Sequence, residues 1–217
     1  MSTPSIREGT VEGGSSWSLK DRLRLAREDV ILDAAYALLA RRGYGDASMD
    51  ELAAELHMSK STLYQLFPSK QDLAVGVVTR CMARHLAVLE NSDPELPAVK
   101  RLERGLRISL KERARFDADC LSVPQCVIRD NPRYEHVKSK LKAVIAGLVD
   151  EAQAAGEIAP DIPRAAIFGL IATLYSASYD DVTAGGEDAA DSLVDQLVSI
   201  VLRGLRPAAH QSPGETA

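Results

Sequence analysis

The sequence predicts an all-α protein, and three observations predict it. Apolar residues recur at three- and four-residue spacing in one segment after another, and no stretch sustains the strict alternation of a half-buried strand. Capping residues and glycine or proline breaks then divide the chain into pieces of helical length, about nine of them. At 217 residues the chain can bury a sizeable core, as one helical domain or as a small domain joined to a larger one. Its 46% hydrophobic and 26% charged content is ordinary for a water-soluble globular protein. No apolar run approaches the roughly 18 residues of a membrane span, and the amino terminus lacks a basic-then-apolar signal pattern, so a cytoplasmic location is expected. Cys81, Cys120 and Cys126 are an odd few in a chain too long to need staples, which fits a reducing compartment.

Residues 1–18 mix Ser, Thr, Gly, Pro and Glu without periodicity and read as a flexible arm, in which Trp17 is expected to pack against the first helix. That helix should run from about Leu19 to Arg42. Ile31, Ala34, Ala35, Leu38 and Leu39 form its buried stripe, and Gly43 is its stop. Ser48 is placed to cap the second helix, with Glu51 three residues on completing a capping box. Met49, Leu52, Ala53 and Leu56 face inward from this helix, and Leu63, Leu66 and Phe67 do so from the next, which opens at Ser59. The two helices meet at His57-Met58, a helix-turn-helix pattern. Pro68 ends the third helix, Ser69 caps the fourth, and the fourth extends to about Asn91. The fourth carries two adjacent apolar stripes: Ala74, Val78, Met82, Leu86 and Leu89 beside Val77, Cys81, His85 and Val88. So wide an apolar arc must touch two bodies.

Beyond Pro94 and Pro97, helices are expected at 98–116, 118–130, 132–155, 163–182 and 187–206, with Pro124 interrupting the second of these and Gly156 ending the third. Tyr134, Val137, Leu141, Val144, Ile145 and Leu148 give the third a buried face. Residues 207–217 read as a flexible tail.

In the helix after Met58, the side turned from the core holds Ser59, Lys60, Ser61, Thr62, Tyr64 and Gln65. Hydroxyls and a cation suit phosphates, and an amide suits base edges, so this face fits a DNA major groove. An ordinary solvated face has the same composition, and a helical ligand-binding or protein-interaction module without sequence-specific DNA binding is the alternative reading. The net charge of −5 favours that alternative, as does the stretch from Leu19 to Asp72, where eight lysines and arginines face nine carboxylates. A focused binding face is therefore expected, not a uniformly basic surface. Several of the acids sit near helix starts, where they favour the dipole.

Residues 27–73 add a resemblance. Ile31-Leu32, Ala34-Ala35, Leu38-Leu39, Gly43-Tyr44, Ser48-Met49, Leu52-Ala53, Met58-Ser59, Thr62-Leu63-Tyr64, Phe67, Ser69-Lys70 and Leu73 hold their order and spacing together. This series resembles the amino-terminal DNA-binding domain of the tetracycline-repressor (TetR) family. Two positions depart from that pattern: His57 stands in the turn where the family usually has Gly, and Ser61 where Gly is frequent. A left-handed backbone is tolerable for His, at some strain.

The resemblance implies a helix-turn-helix domain at 19–68 and an effector-binding and dimerisation domain at 69–206. It also implies a homodimeric, ligand-responsive transcriptional regulator, a repressor that occupies a palindromic operator of double-stranded DNA. Ser48 and Lys70 would meet phosphates beside Tyr64, and Gln65 with Lys60 and Ser61 would read bases. A small-molecule effector would sit in the carboxy-terminal helices, lined by Met82, His85, Leu89, Leu106, Cys126, Tyr134, Phe168, Tyr175 and Tyr179. Phe168, Tyr175 and Tyr179 share a helical face that suits an apolar or aromatic molecule. The last two helices are the candidate subunit interface, through Ala165, Gly169, Ala172 and Ser176 on one, and Leu193, Leu197, Ile200 and Val201 on the other. Cys81 and His85 have ligand-like spacing, but no CxxC motif accompanies them, so a thiol or metal sensor is a lesser alternative. No phosphate loop or nucleophile motif is present; neither an enzyme nor a cofactor is expected.

Overall fold

The computed structural model describes residues 18–114, 123–176 and 186–207. Among them it contains nine helices and no strand, an all-α fold. In chain order these are α1 (Leu19–Asp46), α2 (Met49–Glu55), α3 (Lys60–Leu66), α4 (Lys70–Glu90), α5 (Ala98–Ala114), α6 (Gln125–Ile128), α7 (Pro132–Ala154), α8 (Arg164–Ser176) and α9 (Glu187–Gly204).

The amino-terminal head is built from capped helices, two of them short, around one apolar cluster. Ser18, Ser48, Ser59 and Ser69 each accept a hydrogen bond from the backbone N–H three residues on, at 3.0–3.2 Å, so α1 to α4 all begin on a serine hydroxyl. Glu51 departs from the expected capping box, because its carboxylate accepts from Arg42 Nε at 3.2 Å. Gly43, at φ +70°, breaks α1 where a stop was expected, although one more helical turn follows as far as Asp46. His57, at φ +49°, is the single non-glycine residue in the left-handed region among the described residues, and it makes the turn between α2 and α3. Ile31, Ala35, Leu38 and Leu39 of α1 meet Leu52, Ala53, Leu63 and Phe67, and the cluster continues into α4 through Leu73, Ala74 and Val77.

A second cluster fills the carboxy-terminal body. It joins Leu89 of α4 to Leu102, Leu106 and Leu110 of α5, Leu148 and Val149 of α7, Ile167 and Ile171 of α8, and Val194 and Val198 of α9. Helix α4 thus serves two cores, but they divide along its length and not between its stripes: Ala74, Val77, Val78, Cys81 and Met82 belong to the head cluster and Leu89 to the body. Gly105 lets α4 and α5 approach closely: a Cβ at this position would stand 2.3 Å from Leu89 Cδ2. At Gly156, φ +71° ends the turn after α7. Pro124 stands just before α6, its carbonyl accepting from Val127 N–H at 2.8 Å, and α6 is a single turn; the first part of the helix expected over 118–130 lies outside the described residues. Val137, Leu141 and Val144 of α7 are half-buried and flank a buried line of Tyr134, Ile145, Leu148, Val149 and Ala152.

Charged groups tie α4 to its neighbours. Arg80 and Arg84 both donate to Asp33 Oδ1 of α1, and Arg84 also reaches Glu112 Oε1 of α5 at 3.2 Å. None of the helices among the described residues is long and apolar enough to cross a membrane.

Candidate nucleic-acid interface

Two helices of seven residues have little stability of their own, because an isolated helix below about 12 residues is marginal in water. What holds α3 is Leu63, with no exposed surface, and Phe67, 8% exposed, together with the Ser59 cap. The Ser59 hydroxyl also lies 3.0 Å from the Ser61 hydroxyl and 2.8 Å from that of Thr62, so three hydroxyls cluster at the start of this helix.

With its apolar side anchored, α3 presents the remainder to solvent. Ser59, Lys60, Ser61 and Gln65 are exposed, Tyr64 is 44% exposed, and Thr62 is half-buried. Ser48 is exposed at the start of α2, where its hydroxyl already serves as the cap. Lys70 is half-buried: its ammonium donates to the Gly45 carbonyl at 2.8 Å and lies 4.8 Å from the centre of the Tyr44 ring. An ammonium has three donors, so Lys70 braces the last turn of α1 and keeps protons for a further acceptor.

Three cations of this head are paired with carboxylates of α2. Lys60 Nζ lies 2.6 Å from Asp50 Oδ2, Arg42 pairs with Glu51, and Arg41 with Glu55. Both members of the Lys60–Asp50 pair are more than half exposed, and solvent-exposed pairs contribute only about 0–1 kcal/mol, so they exchange readily. None of these partners is local in sequence, which is why dipole arguments alone missed them.

The expected effector residues do not all gather in one place. Leu89 and Leu106 are buried in the body cluster, and Phe168 and Tyr175 pack against it. His85 is half-buried beside them, its ring centre 6.1 Å from that of Tyr175 and its Nε2 3.4 Å from Glu112 Oε2. Met82 and Tyr134 belong instead to the cluster on the head side, and Cys126 is exposed on the single turn of α6, so its lining role is corrected. Tyr179 lies outside the described residues. Sequence reasoning missed Ser109, 2% exposed, whose hydroxyl bonds that of Tyr175, and Glu112 beside it. A serine on the otherwise apolar stripe of Leu102, Leu106 and Leu110 was the available signal. The hydrogen bond with His85, and then Arg84, hold the Glu112 carboxyl below its ordinary range, although burial opposes them.

Cys81 is half-buried, and burial first, then the charge of Glu112, pushes its thiol up to about 11. Among the described residues no group of His, Cys, Asp and Glu is arranged to hold a metal; Cys120 lies outside them. On α8 the small residues Ala165, Gly169 and Ala172 are exposed, as is Leu170 at 44%. On α9 Ile200 is 56% exposed, whereas Leu193, Leu197 and Val201 are partly buried against the body's own core. The side chain of Ser176 is outside what the structure describes.

Comparison with known proteins agrees with this geometry. A family model for bacterial regulatory proteins of the tetR family matches residues 31–77, and one for the carboxy-terminal domain of SbtR-like transcriptional regulators matches residues 118–207. The HTH-type transcriptional regulator EthR of Mycolicibacterium smegmatis is 30% identical over 84 residues, 38% of this chain and 39% of that protein. The chain spans 18 to 39% of the length of the curated relatives it matches. Among solved structures, the TetR transcriptional regulator SCO0520 from Streptomyces coelicolor superposes with a TM-score of 0.60 at 25% identity, covering 84% of this chain and 99% of that one. The regulator FadR from Bacillus subtilis, solved in complex with stearoyl-CoA, shares the fold with a TM-score of 0.61 at 19% identity, over 81% of this chain and 98% of that one. An amino-terminal helix-turn-helix head and a carboxy-terminal helical body, each matched by its own family model, place this chain in the TetR family of bacterial transcriptional regulators.

Proposed function

We propose that this protein is a ligand-responsive repressor that binds a palindromic operator as a homodimer. The observation that carries the reading is α3: Leu63 is fully buried while Lys60, Ser61, Tyr64 and Gln65 all face solvent from the same short helix. Such a helix enters a major groove without first unpacking its own domain. Ser48, Tyr64 and Lys70 then meet phosphates and fix the register, whereas Gln65, with Lys60 and Ser61, reads base edges. The exposed small residues of α8 and Ile200 of α9 provide the face for a second copy, whose head reads the other half-site. FadR with stearoyl-CoA supports a body of this fold holding a small molecule. Here the apolar side chains of Leu89, Leu106, Phe168 and Tyr175, with His85 at one edge, favour an apolar or aromatic effector.

Selection of bound duplexes from a random pool tests this reading. The wild type should enrich a palindrome whose half-sites lie about one helical turn apart. Gln65→Ala should relax preference at one position per half-site, and Tyr64→Phe should weaken every sequence alike. A pool that enriches nothing, or a Gln65→Ala protein with unchanged preference, overturns it.

A further inference from the structure

We infer that α2 is an internal counter-ion strip, and that Asp50, by holding Lys60 in the unbound protein, suppresses attachment to DNA of arbitrary sequence. The inference rests on the DNA-binding reading and goes beyond it, since Asp50 has no place among the residues expected to touch DNA.

Helix α2 carries three carboxylates, Asp50, Glu51 and Glu55, and each meets a cation of another head helix: Lys60 of α3, then Arg42 and Arg41 of α1. Lys60 is the cation on the exposed face of α3, next to Ser61, Tyr64 and Gln65. Its Nζ lies 2.6 Å from Asp50 Oδ2, across the turn that His57 makes.

Affinity for DNA of any sequence comes mainly from cations that replace the small counter-ions condensed on phosphates. A lysine already neutralised by its own carboxylate gains little there. To reach a phosphate it must release Asp50, and the freed carboxylate then stands beside the duplex and repels it. Only a site that adds base contacts on α3 offsets that exchange. Because both partners are exposed, the pair is weak enough to open at such a site. A chain with net charge −5 and no excess of cations in its head thereby keeps its remaining attraction for the sequence that α3 reads.

The test uses the full-length protein and a short duplex of random sequence, with binding followed by anisotropy across a sodium chloride series. Asp50→Asn should tighten binding and steepen the dependence of log affinity on log salt by about 0.9, the value of one phosphate contact. In a Lys60→Gln background the same Asp50→Asn change should bring a markedly smaller gain, that of removing a lone carboxylate, because no cation is released. An unchanged slope in Asp50→Asn overturns the inference. So does an equal gain with and without Lys60, which would mean that a bare carboxylate repels DNA without engaging any partner. Should the wild type bind no duplex even at low salt, the functional reading itself falls and this inference falls with it. That outcome is distinct from a wild type that binds and an Asp50→Asn protein that binds no better.

Discussion

The head and the body of this protein are both helical, yet they are secured in different ways. In the head, α2 and α3 have seven residues each, and both start on a serine hydroxyl and lean on a few fully buried side chains such as Leu52 and Leu63. In the body, α5, α7 and α9 run for 17, 23 and 18 residues, and α9 starts at Gly186 with no side-chain cap at all. Helix α7 is still capped, by Asn131, but length and packing make a cap dispensable for α9. The head therefore has few ways to absorb damage, and it can keep its polar surface free for a partner. The body has apolar faces to spare, and on α8 it leaves Ala165, Gly169, Leu170 and Ala172 uncovered.

Three substitutions sharpen that contrast. The largest effect is expected from Leu63→Ala, which empties a site with no exposed surface beneath the exposed face of α3. It should cost about 2–5 kcal/mol in urea denaturation and abolish duplex binding, because Leu63 is the one fully buried side chain within that short helix. A loss under about 1 kcal/mol would show that the head is as tolerant as the body. Next comes Gly105→Ala in the body, where the new methyl meets Leu89 within the α4–α5 contact. Thermal unfolding should report a loss of about 1–3 kcal/mol, with the head still competent for DNA. If Leu89 moves aside freely, the loss vanishes, and the close approach at Gly105 has no mechanical importance.

The smallest effect is one of pH. Glu112 has its pKa lowered in the folded protein, so its contribution to stability is present above the unfolded carboxylate value near 4.5 and fades as the pH drops through the lower folded value. Glu112→Gln should therefore reduce stability at neutral pH and flatten the acid side of a pH–stability profile. Two superimposable profiles would mean that the contacts of Glu112 with His85 and Arg84 are neutral for folding.

How much of this could be read beforehand differs between the two regions, for a physical reason. Caps and stops are local: Ser48, Ser59 and Ser69 sit three residues from the N–H groups they accept from, and Gly43 and His57 reveal their backbone by residue type and position. The exposed face of α3 followed from the same local spacing. Partners distant in sequence left no such trace. Nothing around Lys60 points to Asp50, and nothing around Tyr175 points to Ser109, 66 residues away. Cys126 was expected in the lining, yet on the single turn of α6 it is exposed, and nothing in its local sequence distinguishes the two. The periodicity of α9 marked Leu193, Leu197, Ile200 and Val201 alike, and only packing separates Ile200 from the other three.

Arg84 grips two masters at once, Asp33 on one flank and Glu112 on the other, and a single guanidinium cannot follow both if they drift apart. Any tilt that widens the gap between α1 and α5 must surrender one of these two handholds. Whichever it gives up, α4 stays fastened to α1 by Arg80 on Asp33 and to α5 by His85 beside Glu112, so the shared guanidinium is the first link to part and not the last.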